Sequence, residues 1–174
     1  MNNRIGKNFY YLSVAETVSK RSTCMSKQYG AIIVKDDEII STGYNGAPRG
    51  RENCCDRGIC FRLEHGIPRG TRYEACRSLH AEMNAIISAA RAEMMHSTMY
   101  IYGYDVTEGK TVKDTNCCAM CRRMIINAGI EQVVFADPDV GMPCPGVNYR
   151  AKTVNVEDWI INDESLEFTD GCGY

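Results

Sequence analysis

The spacing of hydrophobic and polar residues predicts the first three elements of the chain. A helix is predicted over residues 8–21, where apolar residues recur close to the helical period. Its buried face consists of Phe9, Leu12, Ala15 and Val18. Two short apolar runs follow at 30–34 and 39–43, and the polar turn between them indicates a β-hairpin.

The rest of the chain also alternates between predicted strands and helices, apart from 44–76. That segment is rich in Gly, Arg and Cys without a clear period, which is typical of a long loop or insertion that something holds in place. In the helix predicted after this segment, the side that faces the core would carry Ile86, Ile87 and Ala90. Alternating strands and helices predict an α/β sandwich. The elements predicted after the insertion are a helix over 79–92, a strand over 98–103, a helix over 118–128 closed by Gly129, a strand over 132–136, a strand over 153–156 and a helix over 157–161.

Composition fits one globular domain over 1–174, with a core at about 8–163, a Cys-rich insertion at about 44–78 and a weakly patterned tail at 164–174. The 174 residues are 44% hydrophobic and 24% charged. A net charge of -2 and a pI near 5.9 disfavour nucleic acid as a partner. No apolar run reaches the roughly 18 residues of a membrane span, and no apolar signal core follows the N-terminus, so we expect a cytoplasmic protein without a membrane partner.

The ten cysteines indicate metal binding more than disulfide bonding. They make up about 6% of the chain, below the roughly 8–10% typical of a small disulfide scaffold. In a reducing compartment such cysteines are more often metal ligands.

Two short motifs fall at the starts of two predicted helices, His80-Ala81-Glu82 and a C-x-x-C pair formed by Cys118 and Cys121. A catalytic zinc takes three protein ligands and keeps one open position, and one imidazole with two thiolates meets that need. Cys118 and Cys121 lie about one helical turn apart and therefore share a face. We predict that His80, Cys118 and Cys121 bind a catalytic zinc, with Glu82 beside the open position as the catalytic proton carrier.

H-x-E followed by P-C-x-x-C is the known signature of zinc-dependent nucleobase deaminases. The chain departs from it at Cys117, where the signature has proline. Either Cys117 is a bystander or the ligand assignment shifts by one residue, but only Cys118 and Cys121 have the C-x-x-C spacing. The structural alternative is a zinc knuckle with Glu82 as an ordinary surface carboxylate. A fourth protein ligand would then be expected.

The segment GYNGAPRG at 43–50, directly after the hairpin, closely resembles the substrate loop of the deoxycytidylate (dCMP) deaminase family. The order of elements from Cys24 to about Pro138 is also similar to that family. The resemblance implies a cytidine-deaminase-like three-layer α/β/α sandwich with a mixed five-stranded sheet. It implies hydrolysis of dCMP to dUMP and ammonia, and a homo-oligomer, in many members a hexamer regulated by dCTP and dTTP.

The same resemblance assigns substrate contacts residue by residue. Asn45 would bind the nucleotide sugar, and the backbone at Ala81 would meet the base. Gly46, Ala47 and Arg49 would lie near the phosphate. A tight turn that only links the sheet to the insertion is the plainer interpretation of this glycine-rich loop.

Other functions remain open at this point. Nucleoside cytidine deaminases and tRNA adenosine deaminases share the two zinc motifs, although Arg49 favours a monophosphate and the acidic pI disfavours tRNA. A further alternative, from a different class, is a non-catalytic zinc module that binds nucleic acid or a competence partner.

A second, structural zinc is predicted for the insertion. Several relatives have cysteine at the positions that correspond to Cys24, Cys54, Cys60 and Cys76. Four thiolates would form a closed tetrahedral site. Cys55 competes with Cys54, and their spacing does not rank them. Reduced cysteines packed as small apolar residues are the alternative.

Overall fold

The computed structural model describes residues 4–68, 70–138 and 147–162. The predicted tail at 164–174 lies outside these ranges. Six strands lie within these ranges: β1 (Lys27–Lys35), β2 (Glu38–Tyr44), β3 (Thr98–Asp105), β4 (Lys110–Thr111), β5 (Gln132–Asp137) and β6 (Arg150–Asn155). The same described residues form seven α-helices: α1 (Lys7–Ser19), α2 (Cys54–Arg57), α3 (Phe61–Glu64), α4 (Ala81–Ile87), α5 (Arg91–Met94), α6 (Ala119–Ala128) and α7 (Val156–Asn162).

Five strands make a mixed sheet in the order β2-β1-β3-β5-β6, and the two-residue β4 pairs with β3 beside this path. β3 and β5 are parallel, and the other strand pairs are antiparallel. The predicted mixed α/β fold is therefore confirmed, with β4 as a short addition to the five expected strands.

The hairpin between β1 and β2 turns at Asp36 and Asp37, which have φ of 50° and 66°. A two-residue hairpin turn of type I′ has positive φ at both central positions, and aspartate tolerates such φ values better than most residues. The predicted hairpin is confirmed, and its register pairs Lys35 with Glu38.

Helices cover both faces of the sheet. Successive strand residues point to opposite sides, so each strand contributes side chains to both cores. Ile32 of β1 joins the core beneath α1, where Leu12 and Ala15 are fully buried. Ile33 joins the opposite core, which is packed with α4, α5, α6 and α7. The α4 and α6 helices also contact each other, so their N-termini lie on one face of the sheet.

Two predictions about the middle of the chain need correction. The helix predicted over 79–92 ends at Ile87, where the Ser88 hydroxyl donates to the Asn84 carbonyl, and α5 begins separately at Arg91. Such serine side chains compete with helical hydrogen bonds. The predicted core side was also wrong at Ile87, which is 67% exposed, and at Ala90, which is exposed too, because Ala85 faces the core instead.

The insertion is not a plain loop, since it contains α2, α3 and a 3-10 turn at Tyr73–Ala75. Within the described residues, no helix is both long enough and apolar enough to cross a bilayer.

Candidate active site

The two zinc motifs predicted from the sequence lie at the N-termini of two neighbouring helices. His80 is the N-cap residue of α4, and Cys118 is the N-cap residue of α6. Cys121 follows in the first turn of α6 and is fully buried. Because α4 and α6 pack together, all three side chains meet at one point.

The three donor atoms have the spacing of a zinc site. His80 Nδ1 lies 3.4 Å from Cys118 Sγ and 3.3 Å from Cys121 Sγ. Tetrahedral zinc with ordinary bond lengths places nitrogen and sulfur ligands about 3.5 Å apart. Among the described residues, only this group of His, Cys, Asp and Glu side chains has all its ligand atoms within 4.8 Å of one another. The donor set therefore fits zinc in both chemistry and distance.

The two thiols of this group have pKa values shifted in opposite directions. A hydrogen bond from the Cys121 thiol lowers the pKa of Cys118, and the same hydrogen bond raises the pKa of Cys121. His80 also lowers the pKa of Cys118. One thiolate is thus already favoured beside the imidazole, which suits the binding of a cation.

Glu82 is the acidic group of the site. It lies in the first turn of α4 and is only 7% exposed, and this burial raises the pKa of its carboxyl group. The buried Cys117 thiol hydrogen-bonds to the Glu82 carboxylate. Cys117 therefore faces Glu82, and it is Cys118 that joins His80, as the C-x-x-C spacing predicts.

The 43–50 loop reaches this site through a direct backbone contact. Gly46 and Leu79 form an antiparallel bridge with two hydrogen bonds of 3.2 and 2.9 Å. Leu79 immediately precedes His80, so the bridge holds the loop next to the predicted zinc ligands. Ala81, the predicted contact for the base, is fully buried at the start of α4.

Asn45 has a structural role in this loop. Its Oδ1 accepts hydrogen bonds from Ser22 Oγ at 2.6 Å and from the Tyr29 amide at 2.7 Å. Its Nδ2 donates to the Lys27 carbonyl at 2.9 Å. The side chain is 7% exposed. Asn45 thus joins the loop to β1, and a contact with the nucleotide sugar stays a prediction.

The far end of the loop is a tight turn. The Arg51 amide donates to the Pro48 carbonyl at 2.9 Å, and Gly50 has a φ of 81° that favours glycine. Ala47 is half-buried, and Arg49 is exposed. A guanidinium group at this position is accessible to an anionic ligand.

The insertion brings the four predicted structural ligands around one cavity. This cavity has a volume of about 420 Å³, and its lining includes Cys24, Cys54, Cys60 and Cys76. Burial raises the pKa of Cys54, and interaction with the other three thiols raises it further. Cys55 is exposed and hydrogen-bonds to Asp56, so it faces away from the cavity. The geometry therefore ranks Cys54 above Cys55, which their spacing could not do.

Sequence reasoning missed one aromatic contact with the site. Tyr73, in the insertion, packs edge-on against the imidazole of His80, with ring centroids 4.9 Å apart and an angle of 83° between the rings. Ten tyrosines are scattered along the chain without a pattern, so no spacing signal marked this one.

Comparison with known proteins identifies a family that matches most of the chain. Residues 6–137 match the family model for the cytidine and deoxycytidylate deaminase zinc-binding region. The chain is 35% identical over 126 residues to the deoxycytidylate deaminase of Schizosaccharomyces pombe, which covers 72% of this chain and 35% of that protein. It is 33% identical over 132 residues to the deoxycytidylate deaminase of Mycobacterium phage D29, covering 72% and 91%. The match thus spans about a third of the yeast relative but nearly all of the phage one.

Solved structures agree with this match. The crystal structure of the dCMP deaminase from cyanophage S-TIM5 in apo form superposes with a TM-score of 0.52 at 27% identity, covering 75% of this chain and 82% of that chain. The same phage enzyme in complex with dCMP and dUMP gives a TM-score of 0.50 at 26% identity, covering 76% and 83%.

Proposed function

The chain belongs to the cytidine and deoxycytidylate deaminase family, and on that premise we propose that it hydrolyses dCMP to dUMP and ammonia. The observation that carries this proposal is the convergence of His80, Cys118 and Cys121 within 4.8 Å, with the buried Glu82 two residues after His80. The match to an enzyme solved with dCMP and dUMP supports the choice of substrate.

His80, Cys118 and Cys121 would hold the catalytic zinc. When bound, such an ion supplies Lewis acidity that lowers the pKa of water to about 7. Glu82 moves the protons: it takes one from the attacking water and delivers it to N3 of the cytosine, and it then takes the remaining proton of that oxygen and gives it to the departing amine. Burial favours the protonated form of Glu82, which suits a group that must also act as an acid.

The 43–50 loop would hold the nucleotide. Its bridge to Leu79 supports a position next to the base, with Ala81 at the base, Asn45 at the sugar and the loop near the phosphate. Arg49 is exposed at the turn and would pair with the monophosphate, together with the backbone of Gly46 and Ala47. This pairing would give a preference for the nucleotide over the nucleoside.

An ammonia-release assay tests this function directly. dCMP, CMP, deoxycytidine and a tRNA anticodon stem are compared at equal concentration with the zinc-loaded protein. We expect dCMP to give the highest kcat/KM. A higher value for deoxycytidine would contradict the assignment of Arg49, and a higher value for the tRNA stem would indicate an adenosine deaminase. Tight DNA binding at physiological salt without any deamination would support the non-catalytic module instead.

We further propose a structural zinc bound by Cys24, Cys54, Cys60 and Cys76. Their shared cavity and mutual electrostatic interaction support it. Sulfur ligands of tetrahedral zinc lie about 3.8 Å apart. The sulfurs of these four cysteines do not all lie within 4.8 Å of one another, so zinc binding would draw them closer together. The ion would offset the entropy of ordering a segment with little apolar content.

The remaining family expectations are also proposals. One is a homo-oligomer, expected as a hexamer, which light scattering would detect. Another is regulation by dCTP and dTTP, which would change the rate of deamination when either nucleotide is added. A single deaminase domain over 1–174 is supported by the one sheet that all described strands share. The cytoplasmic location stays a prediction.

A further inference from the structure

The insertion reaches the predicted zinc ligands through one aromatic side chain. The ring of Tyr73 meets the imidazole of His80 edge-on, with centroids 4.9 Å apart. The Nδ1 atom of that imidazole faces the sulfurs of Cys118 and Cys121. An edge-to-face contact fixes the relative orientation of two rings, so Tyr73 restricts how the imidazole can turn.

Tyr73 is itself held by Arg62 of α3. The guanidinium carbon of Arg62 lies 5.3 Å from the centroid of the Tyr73 ring, a cation-π distance. Arg62 Nη1 donates to the Arg72 carbonyl at 2.6 Å, and Nη2 donates to the Pro68 carbonyl at 2.8 Å. With both nitrogens bound to backbone oxygens, the guanidinium group is fixed in place above the Tyr73 ring.

The backbone on both sides of this pair belongs to the four-cysteine cavity. Cys60 is the N-cap residue of α3, which carries Arg62. The Cys76 amide donates to the Tyr73 carbonyl at 2.9 Å and ends the 3-10 turn. A continuous set of contacts therefore leads from the cysteine-rich insertion to His80.

We propose that Tyr73 is a positioning residue that fixes the imidazole of His80 in its metal-binding orientation, and that Arg62 acts through Tyr73. The inference rests on the proposed zinc site at His80. Residues that orient metal ligands through hydrogen bonds usually change metal affinity by about 10- to 100-fold when they are replaced. Tyr73 would orient His80 through a ring contact instead, and it is supplied by the insertion and not by the central sheet.

The test measures zinc affinity, which does not depend on turnover. Zinc is titrated against a competing chelator in wild type, Tyr73→Phe and Tyr73→Leu, and Cys118→Ser identifies the binding step that belongs to the His80 site. We expect Tyr73→Leu to weaken that step about tenfold. Tyr73→Phe should bind zinc as the wild type does, because it keeps the ring that packs against the imidazole.

The matched control is Phe61→Leu. Phe61 is an aromatic residue of the same insertion that stacks on a different histidine, His65, with centroids 4.0 Å apart. If Phe61→Leu weakens the His80 step as much as Tyr73→Leu, the effect is general loosening and the proposal is wrong. The proposal is also wrong if Tyr73→Leu binds zinc as tightly as the wild type.

Arg62→Met provides a second, independent test. Because Arg62 acts through Tyr73, we expect Arg62→Met to weaken the His80 step, and adding it to Tyr73→Leu should cause no further loss. Fully additive losses would contradict this order of action.

The zinc affinities and the deaminase assay together distinguish a wrong enzyme assignment from a wrong role for Tyr73. Wild type that binds zinc at His80 without deaminating dCMP would overturn the proposed activity, while the affinities would still decide the role of Tyr73. Wild type without zinc at His80 would overturn both.

Discussion

Gly43 of β2 lies against the Ala81 backbone at the start of α4. A Cβ added to Gly43 would sit 2.3 Å from the Ala81 carbonyl oxygen and 2.3 Å from the Ala85 amide nitrogen. Only a residue without a side chain allows this approach. β2 therefore sets the position of the helix that carries His80 and Glu82.

The first prediction follows from this contact. Gly43→Ala would push α4 away from the sheet, and we expect a loss of about 2–3 kcal/mol in the free energy of unfolding, as for other overpacked sites. Urea denaturation measures the loss. Gly6→Ala is the control, because the nearest atom to its added Cβ is at 3.7 Å. Equal stability of the Gly43→Ala and Gly6→Ala proteins would contradict the proposed close packing.

Local sequence signals predicted the elements that depend on short-range chemistry. The two aspartates of the hairpin turn and Gly129, with a φ of 80° after α6, are examples. The start of α4 at the H-x-E motif was predictable for the same reason. The end of α4 was not, because helix propensity favours continuation and a single hydroxyl at Ser88 accompanies its termination.

In the active site, too, the residues in local motifs were predictable and the contacts that depend on packing were not. His80, Cys118 and Cys121 lie in motifs whose spacing is determined by helix geometry, and the structure brings them together. The contact between Tyr73 and His80 depends on the path of the insertion, which has no periodic pattern. The burial of Asn45 among β1 backbone groups depends on how the loop packs, and no signal in the local sequence predicts that burial.

The second prediction concerns Glu82. Glu82→Gln preserves the shape of the side chain but removes its ability to carry protons, so we expect zinc to stay bound while kcat falls about 10²- to 10⁴-fold or more. Zinc content is measured on the same sample as ammonia release. Near-normal turnover in this variant would overturn the role of Glu82 as the proton carrier.

The third prediction concerns zinc content. We expect close to two zinc ions per wild-type chain by elemental analysis, and close to one in Cys60→Ser or Cys76→Ser. These two variants should also be cleaved faster by protease within the insertion, because it loses its central ion. Cys55→Ser is the matched control and should keep both ions, since Cys55 faces solvent. One zinc per wild-type chain would end the proposal of a structural ion.

The fourth prediction concerns pH. Asp105 and Lys27 are direct cross-strand partners in β3 and β1, and they form an ion pair. The hydrogen bond from Lys27 lowers the pKa of Asp105 below its usual value. The pair therefore stabilises the fold above the unfolded pKa of about 3.9, and this contribution is lost as pH falls through the lower folded pKa.

Asp105→Asn should accordingly be less stable than wild type at pH 7, with the difference shrinking as the pH is lowered below about 4. Urea midpoints at several pH values give this difference. Asp37→Asn is the control, because its ion pair with Lys7 is 62% and 68% exposed and should contribute little at any pH. A difference between wild type and Asp105→Asn that stays constant down to pH 3 would contradict the prediction.

The last prediction separates two roles of Asn45. The amide of this side chain satisfies the Tyr29 amide and the Lys27 carbonyl, so Asn45→Ala leaves two backbone groups without these partners. We expect a loss of about 1–3 kcal/mol in the free energy of unfolding. Ser22→Ala removes the hydroxyl that donates to the Asn45 side chain and carbonyl, and it leaves one backbone group, the Cys24 amide, without its partner, so it should cost less. If Asn45 also binds the nucleotide sugar, Asn45→Ala will raise KM for dCMP at a temperature where the variant is fully folded, and Ser22→Ala will raise it less. Unchanged stability in Asn45→Ala would contradict the structural role, whereas lost stability with unchanged KM would leave Asn45 as a part of the scaffold alone.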